Sequence, residues 1–328
     1  LNTGCVPSKA LIRSAKFMAD AKKCQELGFK SAKIEFDFAD VMERVQRVIK
    51  TIEPHDSIER YSSLGVECHT GEAKILSPYE VSVNGKTLTT RNIVVGTGAR
   101  PAIPPIEGIK NVDFLTSDTI WNIRKQPDKL LVLGGGPIGS ELAQAFARLG
   151  SSVTQVQRNK RLIPKEDPEV SQMLLESFQN DGINVLTAHT PKRFFKCDGK
   201  DFLECESNGT SVEIEFDTLL VALGRKANTT GYGLEGLGIE LTPQKTIKVD
   251  AYMKTNIPNI YACGDVAGPY QFTHTAAHQA WYCAINSMIS PFYGFKVDYS
   301  TVPWSTFTDP EVARSGLNEQ EAKEQGVP

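Results

Sequence analysis

Lys129-Leu130-Leu131-Val132-Leu133-Gly134-Gly135-Gly136-Pro137-Ile138-Gly139-Ser140-Glu141-Leu142-Ala143-Gln144-Ala145-Phe146 runs from an apolar segment through a glycine turn into an amphipathic segment without a break. The unbroken apolar residues predict a buried strand, and the periodicity after Pro137 predicts a helix. Gly134, Gly136 and Gly139 therefore form a G-x-G-x-x-G turn in the strand-to-helix context that its chemistry requires. Gly134 permits the tight turn, Gly136 lets backbone approach a pyrophosphate, and Gly139 allows the helix to pack closely on the strand. Pro137 and Ile138 lie in the same turn, where the first amides of the helix face the phosphates. Ser152–Gln157 reads as the next strand, which completes a βαβ unit and makes dinucleotide binding the expected property of this region.

The tip of that second strand reads Val156-Gln157-Arg158-Asn159-Lys160-Arg161. A site for NAD places Asp or Glu there to accept from the ribose 2′-hydroxyl, whereas a site for NADP supplies cations for the 2′-phosphate. Gln157 carries no charge and Arg158 suits a phosphate, so NADPH is expected in preference to NADH. The alternative is a solvated basic turn.

Outward from this unit the chain alternates strands and helices. A helical pattern covers Ser8–Ala19 and another runs from Phe38 to about Leu64. Short β segments follow at Val66–His69, Lys74–Leu76 and Glu80–Val83, with Asn84-Gly85 as a hairpin turn. Asn92–Gly96 reads as a buried strand, Leu186–Phe216 as a meander, and Thr218–Ala222 and Asn259–Cys263 as further strands. A helix is expected near Thr275–Ser290. The 328 residues suit about two domains, and a formal charge of -3 gives no reason to expect nucleic acid as a partner. No apolar run approaches the roughly 20 residues that span a bilayer, so no membrane association is expected. Cys24, Cys68, Cys197, Cys205, Cys263 and Cys283 show neither CxxC spacing nor histidine partners. A metal site is therefore not expected, and scattered thiols suggest a cytoplasmic protein.

The chain opens Leu1-Asn2-Thr3-Gly4-Cys5-Val6-Pro7-Ser8-Lys9. Cys5 lies just ahead of the first helix, facing its unpaired amides and the positive end of its dipole, a setting used by reactive thiols. Alone it would equally suit an inert, partly buried cysteine. The whole run resembles the active-site stretch of the class I pyridine nucleotide-disulfide oxidoreductases, the flavoprotein disulfide reductases. In that family two cysteines flank four residues, and the first would fall immediately before Leu1. The resemblance implies that Cys5 is the flavin-proximal half of a redox disulfide whose other half, the interchange thiol, is not in the chain.

Further motifs carry the same resemblance. Thr255–Val266, with Gly264 and Asp265, is similar to the family's second FAD motif, in which a strand delivers a Gly-Asp pair to the flavin's ribityl and pyrophosphate portion. By itself such a pair is an ordinary turn. Thr97-Gly98-Ala99-Arg100-Pro101 resembles the crossing from the FAD domain to the nicotinamide domain, and Gly224-Arg225-Lys226-Ala227-Asn228 the return. Gln271-Phe272-Thr273-His274-Thr275-Ala276-Ala277 resembles the stretch whose helix N-terminus faces the flavin pyrimidine, so Phe272, Thr273, His274 and Ala276 are candidate cofactor contacts. His274 reads as a packing or capping residue rather than an acid/base. Lys9 and Glu141 are implied to form an ion pair beside the flavin, where a lysine stabilises charge that develops during reduction. Pro137 departs from members that place a gating tyrosine there.

The resemblance implies an α/β fold with two Rossmann-like domains, each a three-layer arrangement of parallel sheet plus β-meander. The FAD-binding domain is expected at 1–123 and 246–297, without its first strand and glycine loop, and the NAD(P)-binding domain at 124–245. Residues 298–328, from Val302–Leu317, resemble the start of an α+β dimerisation domain. Such a chain is expected to be the truncated middle of a homodimeric family member, with weak FAD retention. Within the family the closest likeness is to the mercuric reductases. The function implied is hydride transfer from NADPH to FAD and then electron transfer to the cysteine pair, with a small disulfide or mercuric ion as acceptor and a role in cell redox homeostasis. A dihydrolipoamide dehydrogenase or glutathione-reductase-like enzyme, and a non-catalytic nucleotide-binding fragment, are the alternatives.

Overall fold

The computed structural model describes residues 2–327; Leu1, which begins the opening run, and Pro328 lie outside them. Packing divides the chain into two compact units. One comprises Leu1–His55, Pro101–Gly224 and Pro303–Pro328, the other Asp56–Arg100 and Arg225–Val302. The opening helices are thus grouped with the glycine-turn region rather than with the second FAD motif.

In the first unit the strands Phe114–Thr116, Thr218–Val221, Lys129–Leu133, Ser152–Gln157 and Asn184–Thr187 form a sheet in that spatial order, every pairing parallel. Leu131 lies between Leu219 and Thr154, and Leu133 between Val221 and Val156. Side chains alternate between two cores. Leu130 and Val132 pack with Leu142, Phe146, Leu174 and Phe178 of the covering helices. Leu131 and Leu133 pack with Phe194, Leu203 and Phe216 of the antiparallel meander. Burial on both faces explains why these strands read as uninterrupted apolar runs.

The first helix spans Cys5–Lys22, so Cys5 is its first residue rather than a residue ahead of it. Ser8 N donates to Gly4 O at 3.1 Å and closes the first turn. Pro7 sits in that turn without penalty, because amides there have no intrahelical acceptor to lose. Leu11 and Ala15 are buried in the same core as Met42 of helix Phe38–Ile52 and Phe146 of helix Pro137–Arg148. Phe38 and Phe146 lie with ring centroids 5.9 Å apart. The helical pattern expected to about Leu64 is interrupted at Glu53–Asp56 and resumes in Ile58–Ser63. Pro54 stands at the break, where it cannot donate a helical hydrogen bond.

The second unit contains the antiparallel strands Ala73–Ser77, Glu80–Val83 and Lys86–Thr89. Asn84 and Gly85 turn the hairpin with φ of 50° and 81°, the left-handed pair a two-residue loop demands. Ile93–Val95 pairs in parallel with Ile260–Ala262, and helix Thr273–Ile289 follows. The strand expected at Val66–His69 is not formed. Val66 is exposed there, and among the described residues no strand pairs with this segment.

Candidate functional site

The glycine turn is held mainly by backbone. Gly134 N donates to Val156 O at 2.9 Å, and Gly135 O accepts from Ile163 N at 2.6 Å. Gly134 has a φ of 114°, and a Cβ there would strike the Ala222 carbonyl; a Cβ on Gly139 would strike the carbonyl of Gly134 itself. Both positions therefore exclude any side chain. Gly136 differs: its backbone is extended and a Cβ would meet nothing within 4 Å. The space beside it, the exposed Pro137 and Ile138, and the first-turn amides form an open cradle at a helix N-terminus. That cradle fits a dinucleotide pyrophosphate. Gln155, a strand residue with no motif of its own, is fully buried and donates to Gly134 O at 2.9 Å. Only its polarity within a buried strand could have drawn attention to it.

At the strand tip Gln157 is buried, its amide donating to Arg161 O at 3.4 Å, while Arg158 is exposed. Among the described residues neither Arg158 nor Lys160 has a carboxylate partner. The turn through Ala188, with a φ of 55°, brings His189 N to Gln157 O at 3.1 Å. No acidic side chain occupies the tip itself.

Glu141, on the second turn of the Pro137–Arg148 helix, meets Lys9 at 2.6 Å from Glu141 Oε2 to Lys9 Nζ. Its other oxygen, Oε1, accepts from Phe307 N at 2.9 Å. Lys9 Nζ also donates to Ser8 Oγ at 3.2 Å and lies 4.3 Å from the Phe307 ring centroid. Glu141 is buried, and these contacts compensate its charge where water cannot. Cys5, exposed, and Lys9 are four residues apart in one helix and so share a face. Phe307 was not distinguishable as a site residue in the sequence. It is held there by Asp309, whose carbonyl accepts from Gln144 at 2.9 Å and whose carboxylate binds Arg148 at 2.9 Å.

In the second unit the two stretches read as crossings are stitched together. Asn228 N donates to Gly98 O at 2.9 Å, and Asn228 Nδ2 to Thr97 O at 2.9 Å. Thr97 Oγ1 donates to Asn228 O at 2.8 Å and lies 3.0 Å from the Tyr232 hydroxyl. Burial raises that phenol above its ordinary value, with the Thr97 hydrogen bond acting against the rise. Gly224, the last residue of the first unit's Pro101–Gly224 segment, has a φ of 100° and is exposed. Arg225 donates to Ala99 O at 2.6 Å and to Asp265 Oδ2 at 3.1 Å, so the Gly-Asp pair and the return stretch meet in one ion pair.

Gly264 has a φ of 76°. Its N–H donates to Gln279 Oε1 at 2.6 Å, and Gln279 Nε2 donates to Gly268 O at 2.6 Å. Gln279 is thus a fully buried clamp on the Gly264–Gly268 turn. It falls on the buried stripe Thr275, Gln279, Cys283 and Asn286 of helix Thr273–Ile289; a polar residue at that period is the signal that could have found it. Phe272 stands at the N-terminal boundary of this helix without a capping hydrogen bond, and His274 stacks on its ring with centroids 5.3 Å apart and planes 9° apart. Thr273 and His274 are exposed, and Ala276 lies 3.3 Å from where a Gly264 Cβ would stand. Thr275 Oγ1 is buried without a hydrogen-bond partner among the described residues. The orphaned hydroxyl, the helix N-terminus and the Gly264-Asp265 turn fit the polar dinucleotide portion of a flavin.

Comparisons with known proteins agree with this arrangement. Residues 1–280 match the pyridine nucleotide-disulphide oxidoreductase family. The chain is 35% identical over 326 residues to a mercuric reductase of Bacillus cereus, covering 99% of this chain and 51% of that protein. It is 32% identical to a dihydrolipoyl dehydrogenase of Chlamydia muridarum, covering 100% of this chain and 70% of that protein. The HOCl-induced flavoprotein disulfide reductase RclA from Escherichia coli superposes with a TM-score of 0.84 at 26% identity, over 99% of this chain and 70% of the other. The chain spans about half the length of the mercuric reductase that it matches. From its fold, its glycine turn and these matches, the chain belongs to the pyridine nucleotide-disulphide oxidoreductase family, a family of FAD- and pyridine-nucleotide-dependent oxidoreductases.

Proposed function

We propose that this chain serves an FAD-dependent oxidoreductase of the mercuric-reductase type, which draws hydride from NADPH and delivers electrons to a cysteine pair that includes Cys5. The carrying observation is the Lys9–Glu141 ion pair at 2.6 Å. It joins the helix that begins with Cys5 to the helix that begins at the glycine turn, so the thiol and the nucleotide cradle are fixed to one framework. When bound, FAD would supply the two-electron exchange between nicotinamide and thiols. The protein's own part is positional and electrostatic. Gly136 and the helix N-terminus hold the nicotinamide dinucleotide. Lys9, oriented by Glu141 and by the Phe307 ring, presents a cation on the Cys5 face of its helix, where it would stabilise negative charge as reduction proceeds. Thr97, Gly98, Arg225, Gly264, Asp265 and the 272–276 helix start are the proposed flavin contacts.

NADPH is favoured over NADH because Arg158 is exposed at the tip and Gln157 brings no negative charge there. Mercuric ion is the preferred acceptor, on the 35% likeness to the Bacillus cereus enzyme; a small disulfide is the second reading, on the dihydrolipoyl dehydrogenase match. A two-fold homodimer in the cytoplasm is the setting that this family reading favours. The test is NADPH oxidation with mercuric ion, oxidised glutathione and lipoamide, alongside calorimetric titration of NADPH and NADH. Mercury-dependent turnover is expected of the full-length protein assayed with FAD, together with an NADPH affinity of this chain that falls about tenfold in Arg158→Ala, near 1.4 kcal/mol, and an unchanged NADH affinity. Equal affinities for both nucleotides would overturn the NADPH assignment, and turnover with lipoamide alone would overturn the mercury assignment.

A further inference from the structure

Cys263 and Cys283 have no part in the function proposed above, yet they lie together. Cys263 follows strand Ile260–Ala262 and immediately precedes Gly264, while Cys283 sits on the buried stripe of helix Thr273–Ile289. Cys283 Sγ donates to Ala262 O at 3.6 Å, which brings its sulfur to the residue next to Cys263. Both side chains pack in the same apolar core of the second unit. Cys283 is 1% exposed, whereas Cys263 is only partly buried. The neighbouring Cys283 side chain holds the Cys263 thiol below its ordinary range, while the Cys263 side chain beside it, and then burial, push the Cys283 thiol up. The partner that solvent can reach is therefore also the better nucleophile.

We propose that Cys263 and Cys283 are a second redox-active thiol pair of this chain, closed to an intramolecular disulfide by small disulfides such as oxidised glutathione. The Cys263 thiolate attacks one sulfur of the small disulfide, making a mixed disulfide and releasing one small thiolate, which takes up a proton. The Cys283 sulfur then attacks Cys263 Sγ, loses its own proton, and expels the second small thiol. Two protein thiols are oxidised and one small disulfide is reduced to two thiols, so two electrons leave the protein and both protons are accounted for. The new bond would join the strand end before Gly264 to the helix whose Gln279 already holds the Gly264 N–H at 2.6 Å. Oxidation would thereby lock the Gly264-Asp265 turn onto that helix.

The experiment treats the full chain and its Cys5→Ser variant with graded oxidised glutathione. Remaining thiols are blocked with N-ethylmaleimide under denaturing conditions, and non-reduced digests are mapped by mass spectrometry. A cross-linked peptide joining Cys263 to Cys283, lost on treatment with dithiothreitol, is expected in both proteins. In Cys283→Ala, Cys263 is expected to stop at the glutathione mixed disulfide, which shows that it is the attacking thiol, and a far-UV circular dichroism spectrum matching the parent shows that this variant is folded. Complete alkylation of both residues at oxidant levels that modify Cys5 would overturn the proposal. Arrest of Cys263 at the mixed disulfide in the unaltered chain would overturn it equally.

Discussion

The turns at Gly134 and Gly264 each follow a parallel strand and each use a left-handed glycine, with φ of 114° and 76°, but different forces hold them. At Gly134 the constraint is backbone against backbone, because a Cβ on Gly134 or Gly139 would occupy the place of a carbonyl oxygen. At Gly264 the closest group a Cβ would meet is the Ala276 side chain at 3.3 Å, and the turn is fastened by Gln279 and Arg225. One turn is shaped by what is absent from its glycines. The other is shaped by polar side chains reaching in from distant sequence. The first kind tolerates no side chain at Gly134 or Gly139, and the second is vulnerable at its clamps.

The sharpest way to break this contrast is Gly139→Ala beside Gly264→Ala. The first drives a methyl into the Gly134 carbonyl and should cost about 3 kcal/mol, at the upper end for overpacking. The second adds mainly the strain of an alanine at positive φ, about 1 kcal/mol. Urea denaturation of both variants reads the difference directly. Equal losses would show that steric exclusion is not what distinguishes the turns. Next in size is Gln279→Leu. It leaves the buried Gly264 N–H and Gly268 O without partners and should cost about 2 kcal/mol, with accelerated amide exchange at Gly264. Gln279→Glu, which keeps the acceptor for Gly264 and removes the donor to Gly268, should fall between. A Gln279→Leu protein as stable as the parent would remove the clamp from the account.

The same distinction governs how much could be read from the sequence. The 129–157 strand-turn-helix-strand unit was legible because its determinants are contiguous, and the structure sets Lys129–Leu133, Pro137–Arg148 and Ser152–Gln157 as its elements. The Asn84-Gly85 hairpin was legible for the same reason. The pairing of Lys9 with Glu141 spans 132 residues, and only family resemblance could suggest it. Gln279 was not singled out, and Asn228 and Phe307 were read only as parts of longer stretches, because their roles arise from partners brought near by folding. Val66–His69 misled in the opposite direction: its local pattern suits a strand, but a strand needs a neighbouring edge, and among the described residues none pairs with it. The helix begins three residues before the Ser8–Ala19 pattern, because apolar periodicity marks only the packed turns while Cys5, Val6 and Pro7 form a first turn that accepts proline.

The smallest stability effect should come from Gly136→Ala, and it sharpens the comparison most. Gly136 belongs to the same motif as Gly134 and Gly139, but its backbone is extended and its side-chain direction is empty to 4 Å. If all three glycines served the fold, alanine should be harmful at each. If Gly136 instead keeps a place open for the pyrophosphate, alanine there should alter stability by less than about 0.5 kcal/mol. Dinucleotide affinity should nonetheless fall at least about tenfold, because the methyl stands where phosphate oxygens must approach the helix amides. Paired denaturation and calorimetric titration separate the two cases. A destabilised protein with normal affinity would make Gly136 structural, whereas a stable protein with weakened NADPH binding assigns the emptiness at this position to the ligand.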